Sequence, residues 1–384
     1  MPYFDAASAE PLHPQAREAL LAALDSGWAD PARLHREGRQ ARLLLDQARE
    51  AAAAEFGCRA DELSFTTSGT QAAHLAVLGA VQARQSASRG PGHLVASAVE
   101  HSSVLNAADW LARRTGTDVT ITGVDRLGRV NLTELTAALH PGRTLLACLQ
   151  TANNEVATLQ PVAEAAHECA ERRVPLFVDA AASAARLPIP AGWSLLAASA
   201  RKWGGPAGVG VLAVRKGTRW REPLPADDRE NHRVPGFPNV PSVLAAVAAL
   251  TAMGAERDAS DGALRALTAR IRAAVPELVP DAVVHGDADQ RLPHIVTFSC
   301  LYVDGEALVT ELDRAGVSVS SGSACVSDTR QPSHVLAAMG VLTHGNVRVS
   351  LPRGATPESV EEFLEVLPPI VARVRDTVRA ASTP

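Results

Sequence analysis

Short apolar runs that are typical of β-strands alternate along the first two thirds of the chain with longer segments of helical periodicity. Strands are predicted at residues 62–70, 92–101, 118–125, 143–151, 174–183 and 208–217. Helices are predicted before and between them, at residues 42–55, 71–85, 102–114 and 160–173. Strands joined by helices form βαβ units, so this alternation predicts an α/β fold with a mostly parallel sheet between helices.

The pattern changes after residue 240. Long helices are predicted over residues 241–276, and further helices separate the strands that follow, at residues 294–300, 317–325 and 346–352. This order is typical of a smaller α+β domain. We therefore expect a large domain over residues 13–255 and a small domain formed by residues 1–12 and 256–384.

The composition is that of an ordinary globular protein, with 46% hydrophobic and 21% charged residues in a chain of 384. Only 4% of the residues are aromatic, so we expect a core of Ala, Leu and Val. A formal charge of −5 without a basic stripe argues against nucleic-acid binding. The sequence has no apolar run of the ~18–20 residues that a membrane helix needs and no secretory pattern at its start, so a cytoplasmic location is expected.

The five cysteines, at positions 58, 148, 169, 300 and 325, include no Cys-x-x-Cys pair. This argues against a disulfide framework and against a zinc or other metal site. Four of them are expected to pack in the core. Cys325 differs, because the run "SSGSACVSD" (residues 320–328) surrounds it with small and polar residues. A thiol in such a loop is either a bystander or a reactive group.

Four further segments place polar residues at the ends of predicted strands or beside a Gly-rich turn. Asp179 ends the run "LFVD", Lys202 precedes a Gly-rich turn, Gly69 and Thr70 lie where a strand passes into a helix, and His101 follows a strand. Each has an ordinary structural explanation when taken alone: a helix cap, a surface lysine, a plain helix start and a hydrogen-bonding histidine. Together they fall at the carboxyl ends of parallel strands, where ligands bind in open α/β sheets.

This combination matches what pyridoxal 5'-phosphate (PLP) requires of a protein. PLP needs a lysine for a Schiff base, an acid against its pyridine nitrogen, and usually a flat group against its ring. Its phosphate needs a site such as a helix N-terminus, where backbone N–H groups and the helix dipole attract an anion. The sequence therefore predicts a PLP enzyme.

The order of motifs along the whole chain resembles that of class V aminotransferase-type PLP enzymes and, among them, cysteine desulfurases of the NifS/IscS type. The motifs that carry the resemblance are, in order, "YFDAASAEP", "RLHREGRQAR", "FTTSGTQAAHLAV", "EHSSVL", "ANNEVATLQP", "FVDAAAS", "SARKWGGPAGVGVL", "PNVPSVLAAVAAL", "SSGSAC" and "NVRVSLPR". The resemblance implies the PLP-dependent transferase fold of type I, with a large domain and a smaller C-terminal α+β domain.

The resemblance assigns contacts with the PLP ring to four residues. Lys202 would hold PLP through a Schiff base, and Asp179 would pair with the pyridine nitrogen. His101 would stack on the ring and shuttle protons, and Asn154 would hydrogen-bond the phenolic oxygen and contact the substrate.

The resemblance also assigns residues to the phosphate and the substrate. Gly69, Thr70 and Ser199 would bind the phosphate. Arg348 would bind the substrate carboxylate, a task for which the planar guanidinium is suited. Cys325 would attack the sulfur of L-cysteine, which leaves a persulfide on Cys325 and releases L-alanine. A homodimer and a protein that accepts the sulfur are also implied.

Three positions depart from the family pattern. Ala182 stands where the family usually has a Gln that contacts the phenolic oxygen, and Arg201 stands where it usually has a His. Phe237 stands where a partner subunit usually contributes a Thr to the phosphate. Arginine is a strong phosphate ligand, so we hypothesise that Arg201 binds the phosphate and compensates for the missing threonine.

The segments "PADDRENHRVPG" and "AASAE" also differ from the family pattern. Another class V enzyme, either a C–S or selenocysteine lyase or an aminotransferase, is therefore an alternative to the desulfurase. A third possibility is a protein that binds PLP and docks a sulfur acceptor without catalysis. Lys202 and Cys325 together argue against this third possibility.

Overall fold

A computed structural model describes residues 1–85, 91–225, 227–321 and 332–381, without the side chains of residues 378–381. Its helices are α1 (Pro14–Ser26), α2 (Arg36–Glu55), α3 (Gly69–Gln85), α4 (Ser102–Thr115), α5 (Leu132–Ala138), α6 (Val162–Glu171), α7 (Val240–Leu278), α8 (Gly305–Arg314), α9 (His334–Ala338) and α10 (Pro357–Ala381). Its strands are β1 (Leu63–Thr66), β2 (His93–Ser97), β3 (Asp118–Thr122), β4 (Thr144–Gln150), β5 (Leu176–Asp179), β6 (Leu195–Ser199), β7 (Gly210–Val214), β8 (Ala282–His285), β9 (Ile295–Cys300) and β10 (Asn346–Ser350).

The larger sheet has seven strands in the order β1-β7-β6-β5-β4-β2-β3. Strands β3, β2, β4, β5 and β6 are parallel to their neighbours, whereas β7 is antiparallel to both β6 and β1. Strand β1 therefore runs in the same direction as the parallel strands. Every strand except the edge strand β3 is fully buried, which explains why these strands are continuous apolar runs.

Helices cover both faces of this sheet. One face packs against a cluster that includes Phe56 of the α2 C-terminus, Trp203 and several alanines of α7. The other face packs against the small side chains of α3 and α4, including Ala72 and Ala108. Alanines allow the helices to lie close to the strands, as expected for a chain with few aromatic residues.

The second sheet is antiparallel, with the order β10-β9-β8. It packs with α8, α10 and the second half of α7 around a separate cluster that includes Phe298 and Phe363, and Phe4 from the N-terminal segment joins this cluster. The expected α/β architecture with a smaller α+β unit is therefore confirmed. The boundary at residue 255 falls within the continuous helix α7, and the division into domains stays a prediction.

Some predicted elements differ from the observed ones. Residues 317–321 form isolated bridges, from Ser318 to Tyr3 and from Ser320 to Arg348, instead of the predicted strand 317–325, whose remaining residues lie outside the described ranges. The long helices of 241–276 are a single helix, α7. Strand β6 was not predicted, since "LLAAS" is short and rich in alanine. None of the described helices combines the length and apolarity needed to cross a membrane.

Candidate active site

Five strands of the larger sheet, β1, β2, β4, β5 and β6, end at the same edge, and the segments that follow them surround one cavity. The cavity is lined by residues from all five segments: Ser68, Gly69, Thr70, His101, Ser103, Gln150, Ala152, Asn154, Asp179, Ala181, Ala182, Ser199, Arg201 and Lys202. The structure thus brings together the predicted ring and phosphate residues, which are up to 133 positions apart (202 − 69).

The start of α3 forms one wall of the cavity. Gly69 and Thr70 lie in its first turn, where backbone N–H groups have no acceptor within the helix and the dipole is positive. A Cβ atom on Gly69 would lie 2.7 Å from the Cβ atom of Ser199, a buried residue at the end of β6. Glycine therefore allows the helix start to approach Ser199, and together they form a polar cradle of a kind that binds phosphate.

Asp179 and Lys202 lie on neighbouring strand ends. Asp179 is the last residue of β5 and is 9% exposed, and its Oδ1 atom accepts a hydrogen bond of 2.8 Å from the Ala181 N–H. Lys202 ends the single helical turn that follows β6 and is half-buried. An acid and a lysine therefore line the same cavity from adjacent parallel strands.

His101 caps the N-terminus of α4 at the cavity wall. Its Nδ1 atom accepts a hydrogen bond of 3.1 Å from the Ser103 N–H, which indicates that the hydrogen of the neutral ring lies on Nε2. Burial, and then the positive charge of Lys202, lower the pKa of His101 to about 4. The imidazole is therefore neutral at physiological pH and presents a flat ring to the cavity.

Asn154 lines the cavity, and Arg348 lies directly behind it. The Nη1 atom of Arg348 donates to the Asn154 carbonyl over 3.1 Å, and its Nη2 atom donates to Oδ1 of Asp5 over 2.8 Å. Arg348 is only 4% exposed and, among the described residues, is not part of the cavity lining. Its predicted contact with a substrate carboxylate stays a prediction.

The three departures from the family pattern have different surroundings. Arg201 lines the cavity, and its Nη1 atom donates to the Ser8 carbonyl. Ala182 also lines the cavity and offers no side-chain donor. Phe237 is 57% exposed and lies outside the lining, with the Arg229 guanidinium 5.5 Å from its ring centroid.

Cys325 lies outside the described residues, but the described residues on both sides of it are anchored near the cavity. Ser320 forms a backbone bridge with Arg348, and the Ser333 hydroxyl donates to Glu155, the residue after Asn154, over 2.5 Å. Cys325 is five residues from Ser320.

Several residues at the site were not predicted. Ser68, Ser103, Gln150, Ala152 and Ala181 line the cavity, and each lies within four positions of a predicted residue. Their common signal is their place at a strand end, which could have extended each motif by a few residues.

Glu100 is a further unpredicted residue near the cavity. It is fully buried, and its Oε1 atom accepts a hydrogen bond of 2.9 Å from the Gln150 N–H. Its Oε2 atom has no hydrogen-bond partner within the described part of the chain. Burial raises the pKa of Glu100 to about 8. The carboxyl group is therefore mostly protonated at neutral pH.

The donor set of the cavity fits PLP. It combines a helix start and a serine for a phosphate, a carboxylate for a pyridine nitrogen, a lysine for an aldehyde carbon and a neutral imidazole for the ring. In the described residues, no group of three or more His, Cys, Asp or Glu side chains is placed to hold a metal ion.

Residues 2–363 match the model of the family described as aminotransferase class-V. The chain belongs to this family. It is 33% identical over 379 residues to a cysteine desulfurase IscS of Dictyoglomus turgidum, covering 97% of this chain and 95% of that protein. It is 35% identical over 390 residues to an IscS-like cysteine desulfurase of Mycobacterium tuberculosis, covering 100% of this chain and 99% of that protein.

A solved structure described as a NifS-like protein superimposes with a TM-score of 0.89 at 26% identity, covering 97% of this chain and 99% of that chain. Members of the class V family use PLP. The resemblance and the fold that it implies are therefore confirmed, and the chain is a class V PLP enzyme related to cysteine desulfurases.

Proposed function

We propose that this protein is a PLP-dependent cysteine desulfurase, which converts L-cysteine to L-alanine and leaves the sulfur on Cys325 as a persulfide. The observation that carries the proposal is the single cavity that contains Lys202, Asp179, His101 and the start of α3. Full-length relatives that are named cysteine desulfurases support the choice of reaction within the class V family.

Three residues would hold the cofactor ring. Lys202 would bind PLP covalently, and the carboxylate of Asp179 would keep a proton on the pyridine nitrogen. With that proton in place, PLP supplies an electron sink for bond changes at the α-carbon of an amino acid. Asn154 would contact the phenolic oxygen without the help of a glutamine, since Ala182 stands at that position.

The phosphate would lie against the start of α3. The backbone N–H groups of Gly69 and Thr70 and the hydroxyl groups of Thr70 and Ser199 would donate hydrogen bonds to it. Arg201 lines the same cavity and would add a positive charge. The resemblance implies a homodimer in which the partner subunit usually contributes a threonine to the phosphate. Phe237 stands at that position, and this donor set would compensate for the missing contact.

His101 would move a proton near the substrate. The Ser103 N–H engages Nδ1, so the exchangeable proton of the neutral ring lies on Nε2. A base that is neutral at pH 7 can accept a proton at one step and return it at another. The flat ring would at the same time pack on the cofactor.

Arg348 would bind the substrate carboxylate, and Cys325 would receive the substrate sulfur. Only the thiolate form of a cysteine is a strong nucleophile. The anchored residues Ser320 and Ser333 keep both ends of the segment that contains Cys325 near the cavity. The persulfide would then pass to a sulfur acceptor, which we propose is another protein.

Sulfide release from L-cysteine in the presence of a thiol reductant tests the proposal. The PLP-loaded wild type is expected to release sulfide, and Cys325→Ala is expected to lose at least about 99% of this activity, because a nucleophile that forms a covalent intermediate is missing. Cys58→Ala, which removes a partly buried cysteine, serves as the matched control and is expected to behave as wild type.

The alternative is a class V lyase that releases sulfide by elimination, or an aminotransferase. Ala182 supports this alternative, because it lines the cavity and lacks the side-chain donor that the family usually has at this position. Equal sulfide release by the wild type and by Cys325→Ala would support a lyase and contradict the persulfide route. Absence of sulfide from both would support a different amino-acid substrate.

A further inference from the structure

The N-terminal segment is fixed along the strand that carries Arg348. Asp5 forms a parallel bridge with Ser350 of β10, where the Ser350 N–H donates to the Phe4 carbonyl over 2.8 Å. The hydroxyl group of Tyr3 donates to the Ala9 carbonyl over 2.7 Å and closes the loop of residues 3–9. Arg348 and Ser350 are two residues apart and therefore point to the same side of β10.

Asp5 and Ser8 form a closed hydrogen-bonded group with the guanidinium. The Nη2 atom of Arg348 donates to Oδ1 of Asp5 over 2.8 Å and to Oγ of Ser8 over 2.7 Å. The Ser8 hydroxyl in turn donates to Oδ1 of Asp5 over 3.0 Å. The Arg348 side chain is 5% exposed and that of Asp5 is 23% exposed. A buried guanidinium needs such a counter-charge to stay at this place.

The guanidinium still has donors for a further ligand. It has five N–H donors in total, and three are engaged by Asp5, Ser8 and the Asn154 carbonyl. The buried Nε atom is without a hydrogen-bond partner in the described part of the protein. The Nη1 bond to the Asn154 carbonyl places the guanidinium next to a residue that lines the cavity.

We propose that Asp5, together with Ser8, is a positioning residue that holds Arg348 in the orientation needed to bind the α-carboxylate of the amino-acid substrate. This inference rests on the role of Arg348 in the proposed function. Arginine has a long side chain with many rotamers, and a guanidinium that is fixed in advance does not have to be ordered when the ligand binds. Removal of Asp5 is therefore expected to weaken the binding of ligands with a carboxylate and to spare those without one.

The test compares L-alanine with ethylamine, which has the same skeleton without the carboxylate. Their Kd values are measured from the change in cofactor absorption of the PLP-loaded protein. Asp5→Ala is expected to weaken L-alanine binding by about tenfold, the usual effect of a lost hydrogen bond to a charged group. Ethylamine binding is expected to change by less than about twofold. Asp5→Asn retains the Oδ1 acceptor without the counter-charge and is expected to restore part of the affinity for L-alanine.

Two further variants guard against a general loss of structure. Ser8→Ala removes one of the two bonds to Nη2 and is expected to weaken L-alanine binding by about threefold, so it tests the inference even if Asp5→Ala does not fold. Asp287→Ala breaks an ion pair in which Oδ2 of Asp287 lies 2.7 Å from Nη2 of Arg129. Neither residue is among those that line the cavity, so both Kd values are expected to stay unchanged.

The inference is overturned if the Asp5 and Ser8 variants weaken L-alanine and ethylamine equally, or if they change neither. It also fails if the wild type binds both ligands alike, because Arg348 then makes no carboxylate contact. Sulfide release from L-cysteine separates this failure from that of the proposed function. A wild type that prefers L-alanine in the expected way but releases no sulfide would contradict the desulfurase and leave the role of Asp5 standing.

Discussion

Arg201 and Lys202 are adjacent, and both line the cavity, although they have different tasks. The resemblance assigns Lys202 to the cofactor and places Arg201 where the family usually has a histidine. The Arg201 guanidinium donates a hydrogen bond to the Ser8 carbonyl, and the Ser8 hydroxyl accepts one from Arg348. Ser8 therefore connects the proposed phosphate side of the site with the proposed substrate side.

Arg201→Ala is expected to weaken PLP binding by about tenfold, because a charged hydrogen bond to phosphate is lost. The affinity is measured by titration of the cofactor-free protein with PLP, followed by absorption. Arg221→Ala, which removes an exposed arginine outside the cavity lining, is the control and is expected to leave the affinity unchanged. Unchanged affinity in Arg201→Ala would refute the compensation for Phe237.

Much of the site at this scale follows from residue types in short motifs, although the strand that precedes Lys202 was not predicted. Lys202, Asp179, His101 and Gly69 were all predicted and meet in one cavity. The contact between Asp5 and Arg348 could not be predicted from local patterns. It joins residues that are 343 positions apart, and only the packing of the N-terminal segment on β10 brings them together.

At the scale of elements, the α3 start depends on a close approach that only glycine permits. Gly69 is adjacent to Ser199, and the helix begins two residues earlier than the periodicity predicted. Gly69 and Thr70 therefore belong to the first helical turn, which is the arrangement that gives N–H groups to an anion.

Gly69→Ala is expected to displace the start of α3 from Ser199 and to weaken PLP binding by more than about tenfold. The new Cβ atom would lie 2.7 Å from that of Ser199, closer than packed atoms approach. Gly262→Ala is the matched control, because this glycine lies within α7 and a Cβ atom added to it would have no neighbouring atom within 4 Å. It is expected to retain PLP affinity and to gain roughly 0.5–1 kcal/mol of stability. Equal PLP affinity in both variants would contradict the role of Gly69.

The predicted elements agree best with the observed ones where strands are long and uniformly apolar. Strand β4 (Thr144–Gln150) is buried along its whole length and was predicted. Strand β6 was not predicted, because its alanines favour a helix as much as a strand. The segment at residues 317–321 pairs instead with the N-terminal segment and β10 through single bridges, which depend on contacts distant in sequence.

At the scale of the whole molecule, buried titratable groups make stability depend on pH. Burial raises the pKa of Glu100 to about 8 from an ordinary value of 4.5. Between these pH values the folded protein keeps a proton that the unfolded chain has lost. The free energy of unfolding therefore falls as the pH rises through this window, by about 1.4 kcal/mol per pH unit from this group.

Glu100→Gln removes this dependence and retains an Oε1 acceptor for the Gln150 N–H. The variant is expected to gain stability relative to the wild type as the pH rises from 5 to 8, measured by urea unfolding of the cofactor-free proteins. Burial lowers the pKa values of His101 and His285 to about 4, so these groups make the free energy of unfolding rise with pH below 6.5. The wild type and Glu100→Gln share this contribution. Exposed Glu18→Gln is the control and is expected to follow the wild type. If the free energies of unfolding of Glu100→Gln and the wild type differ by the same amount at every pH from 5 to 8, the raised pKa of Glu100 is contradicted.

Transfer of the substrate sulfur to Cys325 is tested by locating the sulfur after reaction with L-cysteine. The PLP-loaded protein is mixed with L-cysteine in the absence of reductant, alkylated, digested and analysed by mass spectrometry. One additional sulfur atom is expected on the peptide that contains Cys325, and none on the peptides that contain Cys58, Cys148, Cys169 or Cys300. L-Alanine formation without extra sulfur on Cys325, or with extra sulfur on another cysteine, would contradict this transfer.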